Sequence, residues 1–297
     1  MSATIPLTPG EIAGPKRQNS GSRAGRHREG NWVAYVLLSV VLILSAIPFY
    51  WTIVAASRTN PEMVQVPPPL IPGPNLMKNL QQALTEVDMV QAIINTVIVA
   101  GCITIGTVLF CTLAGFAFAK LKFTGRNFLL GIVIGTLLIP TQLGVIPLFM
   151  FMAKLQWIDH LQAVILPTLV GAFGVFFMRQ FLIDAVPDEL VEAATVDGAG
   201  VFRIFVSIVI PAARSGMAVL AMLTFMTAWN DFFWPLVALS PKNPTVQVAL
   251  TGLGRGYVTD NSIVMAGTLI GMLPLLIVFV ILGRQIVSGI MQGAVKG

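Results

Sequence analysis

The residues most able to do chemistry form one polar insert between two strongly apolar stretches of the chain. Its members are three carboxylates and four small residues: Glu189, Glu192, Asp197, Ala193, Ala194, Gly198 and Ala199. Alanine and glycine leave little bulk, so such a segment fits a groove on another protein. In that groove Glu192 offers a carboxylate that an Arg or Lys can bind through charge-assisted hydrogen bonds. The insert therefore predicts docking on a partner protein and not catalysis.

Local signals divide the loop 179–214, which contains the insert, into two helices. Pro187 is tolerated at the start of a helix, and the acidic residues after it suit the positive end of the helix dipole. Gly198 ends this first helix, and a second, apolar helix is expected over 201–210, before Pro211. The alternative is an amphipathic helix lying on the membrane. It fits less well because such helices carry Lys and Arg on their polar face.

Composition predicts the elements that hold this insert. Of 297 residues, 56% are hydrophobic and 10% are charged, whereas soluble domains carry about a quarter charged residues. The chain is therefore predicted to be an all-α integral membrane protein with six transmembrane helices of about 20 residues or more. The apolar windows are 33–57, 90–119, 127–153, 161–178, 215–239 and 263–283. The first exceeds the roughly 7–15 apolar residues of a signal peptide, so it is expected to remain as a span.

Basic residues predict the orientation of these six helices. With the N-terminus inside, 13 of the 18 lysines and arginines fall on one side of the membrane and 5 on the other. The positive-inside rule then places both termini in the cytoplasm, so the net charge reports topology and not binding of nucleic acid. Residues 1–31 are expected to be a disordered cytoplasmic tail. Residues 32–288 are expected to be the six-span domain, and 289–297 a cytoplasmic C-terminal tail.

Other sites of chemistry are missing from the sequence. It has no Walker-type glycine-rich loop with Lys, so this chain is not expected to bind ATP itself. His27 and His160 lack the spacing of metal ligands. Cys102 and Cys111 would lie about 13 Å apart on one helix, which is too far for a disulfide. We therefore predict that the chain is not an enzyme and holds no metal or cofactor.

One ionisable side chain, Asp231, falls inside the predicted spans, next to Asn230. A carboxylate in lipid is costly, so Asp231 is expected to face a cavity or a partner. In one interpretation Pro235 kinks the helix and Asn230 or Asp231 caps the restarted helix. In the other, compatible with the first, both line a polar pathway with Gln142. Further breaks are predicted at Pro140, Pro147, Pro167 and Pro274, and close helix crossings at Gly131, Gly135, Gly267 and Gly271.

The insert resembles a motif of known transporters. Glu192-Ala193-Ala194, three residues, Gly198, nine residues and Ile208-x-Ile210-Pro211 resemble the coupling loop, or EAA loop, of ATP-binding-cassette (ABC) importer permeases. Ile210 stands where Leu is usual, and residues 212–215 replace an ending with a second Pro. Residues 229–236 and 289–297 resemble the carbohydrate branch of this class. The chain is most similar to the shorter permease subunit of maltose-type oligosaccharide importers.

The resemblance implies a type I ABC importer permease fold and a set of contacts. The coupling loop is expected to dock on an ATP-binding subunit and to transmit its closure to the spans. The C-terminal residues expected to approach the ATPase subunits are Gly293, Ala294, Val295 and Lys296. The external loop expected to meet a solute-binding protein contains Val246, Gly252, Gly254, Arg255 and Tyr257.

The same resemblance implies partners and a cargo. The partners are a second permease, two ATPase subunits that bind ATP and Mg, an extracytoplasmic sugar-binding protein and membrane lipid. The cargo is a di- or oligosaccharide, whose binding site in maltose-type systems belongs mainly to the companion permease.

Three other functions stay open from the sequence. ABC permeases for polyamines, phosphate or amino acids carry the same loop, although the segments 229–236 and 289–297 favour sugars. An ion-coupled secondary transporter or channel would carry several intramembrane charges, whereas the predicted spans hold one. A membrane scaffold that transports nothing would leave the proline-broken spans without a purpose.

Overall fold

The structure, a computed structural model, describes residues 32–255 and 259–294, of which 282–294 as backbone only. Every regular element in these two ranges is a helix, which confirms the predicted all-α class for them. In chain order the helices are α1 (Trp32–Ala56), α2 (Asn60–Met63), α3 (Leu76–Glu86), α4 (Met89–Lys120), α5 (Arg126–Thr136), α6 (Val145–Lys154), α7 (Gln162–Ile165), α8 (Ala172–Ala185), α9 (Asp188–Val196), α10 (Val201–Trp229), α11 (Phe233–Ala238), α12 (Val246–Leu250) and α13 (Asn261–Ala294). Short 3₁₀ turns precede α6 (Thr141–Gly144) and follow α7 (Leu166–Thr168).

The chain divides into two compact units, Met1–Pro48 and Phe49–Gly297. In the first unit the structure describes only the leading part of α1, whose large apolar side chains, among them Trp32 and Leu42, are exposed. A helix that is apolar on all sides suits lipid surroundings. The predicted tail 1–31 lies outside the described residues. The second unit holds the remaining elements and the candidate site.

Four described helices are long and apolar enough to cross a membrane: Trp32–Ala56, Met89–Lys120, Val201–Trp229 and Asn261–Ile281. Two further candidates are broken helices. One joins α5 to 141–154 with a bend of 92°, and the other joins 162–168 to α8 with a bend of 42°. The count reaches the predicted six if each broken pair is a single span.

Prolines account for some breaks and not for others. Pro140 stands at the break after α5, as predicted, because a residue before Pro disfavours helical backbone. Pro167 lies in the 3₁₀ turn at the second break. Pro147, in contrast, lies in the first turn of α6, where no N–H is required, and the helix runs through it. Pro274 lies inside the continuous helix α13, so the breaks predicted at these last two residues are wrong.

Helix α10 runs through Pro211, where the sequence predicts the end of a helix. It begins at Val201 and continues to Trp229. A π-helical segment, Phe205–Val209, lies shortly before Pro211. Pro has no N–H to donate and its ring crowds the carbonyl four residues earlier, and the wider π turn relieves that conflict. Residues 201–210 are thus the first part of a long helix and not a separate one.

Helix α4 is central to the second unit and packs most extensively against α8, then against α10. Their shared core includes Cys111, Phe116, Met178, Leu182, Phe205 and Leu220. The two helices α4 and α8 approach closely at Gly115, where an added Cβ would lie 2.8 Å from the backbone nitrogen of Arg179 and from Met178 Cβ. Glycine is required there because backbone atoms of the other helix occupy the place of a side chain.

The two predicted glycine crossings have different outcomes. At Gly267 and Gly271 an added Cβ would collide with side-chain atoms of Leu253 and Val246, so close packing is found there, but against side chains and not through the predicted backbone approach. At Gly131 and Gly135 nothing among the described residues lies within 4 Å of such an atom. Close packing therefore joins α13 to the segment around α12, and it does not involve the glycines of α5 within this chain.

A buried polar network closes the end of α4 that lies away from α9. Asn95 is 2% exposed and donates to Asn243 Oδ1 and to the Pro244 carbonyl, each at 2.9 Å. Gln91 donates to the Asn95 side-chain oxygen, and Asn243 donates to the Asp159 carbonyl. These bonds satisfy buried polar groups and hold the segment before α12 against the start of α4.

Candidate functional site

Helix α9 lies at the surface of the second unit with the limits that the sequence predicts. It begins at Asp188, directly after Pro187, and ends at Val196. Gly198 follows with a φ of 79°, in the left-handed region that favours glycine. Nothing among the described residues lies within 4 Å of a Cβ added at Gly198. Glycine is therefore favoured there by backbone conformation and not by crowding.

The two faces of α9 differ in exposure. Val191 and Ala194 pack against the core of α4, α8 and α10, and so does Ala199 beyond the helix. The outer face of α9 is exposed and consists of Glu189, Glu192, Ala193 and Val196. Asp197 and Gly198 are exposed beside it. Ala194 and Ala199 are half-buried and attach the insert to the bundle, and their predicted part in docking stays a prediction.

Two lysines near the end of α4 form ion pairs with α9. Lys120 Nζ lies 2.7 Å from Asp188 Oδ1, with the two side chains 5% and 74% exposed. Lys122 Nζ lies 3.8 Å from Glu192 Oε1, with the two side chains 91% and 70% exposed. The segment 119–128 and α9 together line a groove of about 1350 Å³.

The sequence did not predict that Lys120 pairs with Asp188. The two residues are 68 positions apart, so no local pattern joins them. The available signal was a basic residue at the end of one apolar window and a carboxylate at a predicted helix start.

The Lys120–Asp188 pair predicts an acid-dependent stability. The hydrogen bond from Lys120, then its positive charge, hold the pKa of Asp188 below the usual 3.8. A lowered folded-state pKa means that the pair stabilises the fold at neutral pH and that this contribution is lost as pH falls through the lowered pKa. Asp188→Asn is therefore expected to lower Tm at neutral pH, and its difference from wild type is expected to shrink as pH falls below about 4 and to disappear only below the lowered pKa.

Thermal unfolding of the purified protein, followed across this pH range, checks the expectation. Glu192→Gln is the matched control, and it is expected to change Tm little at any pH because its ion pair is longer, at 3.8 Å, and both partners are largely exposed. A difference between Asp188→Asn and wild type that stays constant down to the acidic limit contradicts the assigned cause.

Asn230 lines a largely apolar cavity at the end of α10. The cavity has a volume of about 510 Å³ and lies between α10 and α13, with Phe225 and Trp229 among its lining residues. The Asn230 amide donates to the Met226 carbonyl at 2.8 Å. Among the described residues that line this cavity, neither Asp231 nor Gln142 occurs. The three residues predicted for a polar pathway are thus not brought together within this chain.

Asp231 lies at a break between two helices, where the capping interpretation places it. Helix α10 ends at Trp229, and α11 begins at Phe233. Asp231 is half-buried between them, and it precedes Phe232, the N-cap residue of α11, which makes no side-chain cap bond. Gln142 is exposed in the 3₁₀ turn before α6.

Much of the predicted external contact loop is turned inward. Val246 is buried, and its N–H donates to Thr96 Oγ1 at 2.8 Å. Gly254, with a φ of 63°, donates its N–H to Glu86 Oε1 at 2.8 Å. Gly252 is half-buried. These residues hold the loop in place because α12 packs its apolar side inward, so Val246 and Gly254 do not offer the contact surface that the sequence predicts.

The remaining predicted contact residues fall at the limits of the described chain. Arg255 is exposed, and its guanidinium donates to the Thr251 carbonyl. Tyr257 lies outside the described residues, as do Val295 and Lys296. Gly293 and Ala294 belong to α13, so the helix extends into the segment predicted as a C-terminal tail; there only the backbone is described.

Within residues 32–255 and 259–294, no group of three or more His, Cys, Asp or Glu side chains could hold a metal ion. Cys102 is exposed and Cys111 is buried, and both are free. The exposed face of α9 therefore offers carboxylates and apolar side chains for binding another molecule.

A family model covers residues 111–292, which include α9, all of α10 and nearly all of α13, and its description is "Binding-protein-dependent transport system inner membrane component". The chain belongs to this family. It is accordingly a multi-pass permease subunit of the bacterial inner membrane and not an enzyme. The predicted family, class of protein and location are thereby confirmed.

Individual relatives match almost the whole chain. The lactose transport system permease protein LacG of Rhizobium radiobacter is 33% identical over 91% of this chain and 98% of that protein. The arabinooligosaccharides transport system permease protein AraQ of Halalkalibacterium halodurans is 31% identical over 90% and 97%. The sn-glycerol-3-phosphate transport system permease protein UgpE of Pectobacterium atrosepticum is 32% identical over 87% and 95%.

One solved structure shows the same fold. It is that of a bacterial ABC transporter involved in the import of the acidic polysaccharide alginate, and it matches with a TM-score of 0.71. The likeness covers 85% of this permease and 95% of that chain at 20% sequence identity. The fold of this chain is therefore that of an ABC importer permease.

Proposed function

We propose that this permease is a subunit of an ATP-driven importer that moves a di- or oligosaccharide across the cytoplasmic membrane. The observation that carries the proposal is the outer face of α9. It holds two carboxylates on an exposed helix whose inner face is anchored in the core through Val191 and Ala194. A helix fixed on one side and bare on the other is suited to receive force from a docked protein.

The proposed topology has six spans, with each broken helix pair counted as one, and places α9 in the cytoplasm. Both termini lie on that side, and 32–288 form the transmembrane domain between the tails 1–31 and 289–297. The excess of Lys and Arg on this side supports the orientation. Surrounding lipid covers the exposed apolar surface.

The proposed energy source is a pair of ATPase subunits that bind ATP and Mg. The docking surface comprises the outer face of α9 with Asp197 and Gly198, and the carboxylates of Glu189 and Glu192 would pair with basic side chains of the ATPase. The C-terminal residues 293–296 approach the same subunits. Closure of the ATPase pair displaces α9 and changes the bundle from inward- to outward-facing.

On the external side we place the sugar-binding protein against the exposed part of the loop around Arg255 and Tyr257. The buried residues Val246 and Gly254 hold that loop in position. A second permease completes the translocation pathway. Asn230 is the residue of this chain that we place on the pathway, since it lines a cavity, whereas Asp231 lies in the break before α11.

Uptake of labelled solutes by cells that lack this chain tests the proposed cargo. We expect uptake of one di- or oligosaccharide to be lost and to return when the chain is supplied again. Uptake of labelled glycerol 3-phosphate by the same cells is the comparison, because relatives include sn-glycerol-3-phosphate permeases. Loss of glycerol 3-phosphate uptake with unchanged sugar uptake would assign the second cargo. Copurification of the chain with an ATPase subunit tests the proposed partner in the same cells.

A further inference from the structure

A single shielded ammonium group meets three helix ends on the α9 side of the bundle. Lys120 is the last residue of α4, and its side chain is 5% exposed. Its Nζ donates to Asp188 Oδ1 at 2.7 Å and to the Ile183 carbonyl at 3.3 Å. Asp188 is the first residue of α9, and Ile183 lies in the last turn of α8.

The chain order explains why both acceptors are available to Lys120. In a continuing helix the Ile183 carbonyl would accept the N–H of residue 187, but that residue is Pro187, which has none. The last turn of a helix also carries partial negative charge, which favours a cation. Asp188 adds a full negative charge one residue later. Pro187 and Asp188 therefore create a site for an ammonium group between α8 and α9.

The neighbouring ion pair, Lys122–Glu192, is a comparison for the strength of the Lys120 contact. Lys122 and Glu192 lie 3.8 Å apart and are both largely exposed, so water and salt screen their attraction. The Lys120 side chain is 5% exposed although Asp188 is 74% exposed, so its ammonium is shielded on one side only. What distinguishes this pair is its shorter distance of 2.7 Å and the second acceptor, the Ile183 carbonyl. Lys120 thereby joins α4 to both α8 and α9, whereas Lys122 contacts α9 alone through a longer, exposed ion pair.

This restraint continues into the core of the protein. Five residues before Lys120, at Gly115, α4 is in backbone contact with α8. Further along α9, Val191 and Ala194 pack on the same core. A displacement of α9 therefore cannot leave the end of α4 behind unless the Lys120 contacts break.

We infer that Lys120 is a positioning residue that couples α9 to α4, so that force applied to the outer face of α9 moves the central helix of the bundle. The inference rests on the proposed function, because it concerns how a docked ATPase drives the spans. Lys120 touches neither ATP nor the transported solute. Its role is to keep the α8–α9 junction and α4 together while both move.

The experiment uses the assembled complex in proteoliposomes and measures solute molecules imported per ATP hydrolysed. Lys120→Met is expected to lower this ratio by about tenfold, within the range of allosteric coupling energies, while ATP hydrolysis continues. Lys120→Arg keeps the charge and the donors and is expected to stay near wild type. Asp188→Asn should add little in the Lys120→Met background, since both changes remove one interaction. Lys122→Met is the matched control and is expected to keep the wild-type ratio.

A distance measurement makes the inference independent of the transported solute. Spin labels at Thr124, just after α4, and at Thr195 on α9 are placed in a background with Cys102→Ala and Cys111→Ala. In the protein that keeps Lys120, the distance between the two labels is expected to be the same with and without ATP trapped in the complex. In Lys120→Met, trapping ATP is expected to change that distance. An unchanged transport ratio and a constant label distance in Lys120→Met would overturn the inference. A wild-type complex that imports no sugar with ATP refutes the proposed function instead, and the label distances still decide on Lys120.

Discussion

Gly115→Val is expected to destabilise the transmembrane domain by about 3 kcal/mol or more, the upper range for an overpacked core. The valine Cβ would lie 2.8 Å from the Arg179 backbone nitrogen and from Met178 Cβ. Backbone atoms cannot turn aside as a flexible side chain can, so α4 and α8 must separate. Separation would also open the core around Phe116 and Met178. The expected readouts are a large fall in Tm and in the yield of folded protein from membranes.

Gly101→Val is the matched control for this prediction. Gly101 lies on the same helix, and nothing among the described residues is within 4 Å of an added Cβ there. Each variant replaces one glycine of α4 with valine, so the two variants share any effect of helix propensity. Equal Tm values for the two variants would contradict the close approach of α4 and α8.

Replacing Glu192 and Gly198 together is expected to reduce sugar-stimulated ATP hydrolysis and uptake by between about tenfold and a hundredfold, as for a lost allosteric coupling. Glu192→Ala removes a carboxylate from the outer face of α9. Gly198→Val places a β-branched residue at a φ of 79°, which costs roughly 1–2 kcal/mol and displaces the exit of the helix. Neither side chain is part of the core, so the transmembrane domain should keep a Tm near that of wild type.

The matched control combines Asp184→Asn with Gly200→Val. Asp184 is an exposed carboxylate on α8, and Gly200 has a φ of −69°, which any residue adopts, with nothing described within 4 Å of its added Cβ. This control is expected to retain coupled transport. Full hydrolysis and uptake in the Glu192 and Gly198 variant would show that the loop does not carry the coupling.

Local chemistry was sufficient to predict the helices and the limits of α9. Pro187 starts the helix and Gly198 ends it through their own backbone preferences, which need no tertiary information. The apolar windows likewise follow from composition. Each predicted window overlaps a described helix or a broken pair.

Features that depend on distant contacts were not predictable. The sequence predicted that a helix ends before Pro211. The structure instead accommodates this proline with a π-helical segment, which is one of several possible solutions. The burial of Val246 and the half-burial of Ala194 depend on which neighbours pack beside α12 and α9. The partner of Lys120 lies 68 positions away. Gly131 and Gly135 have the same spacing as Gly267 and Gly271, yet only the second pair meets a neighbour.

Reconstitution of the complex with its ATPase subunits and binding protein tests the central claim most directly. The measurement is uptake of the labelled sugar into proteoliposomes, with ATP present or absent inside, and with or without an ionophore. We expect uptake to require internal ATP and the binding protein, and to be unchanged by the ionophore. Uptake that proceeds without ATP and stops when the ionophore collapses an ion gradient would contradict an ATP-driven importer.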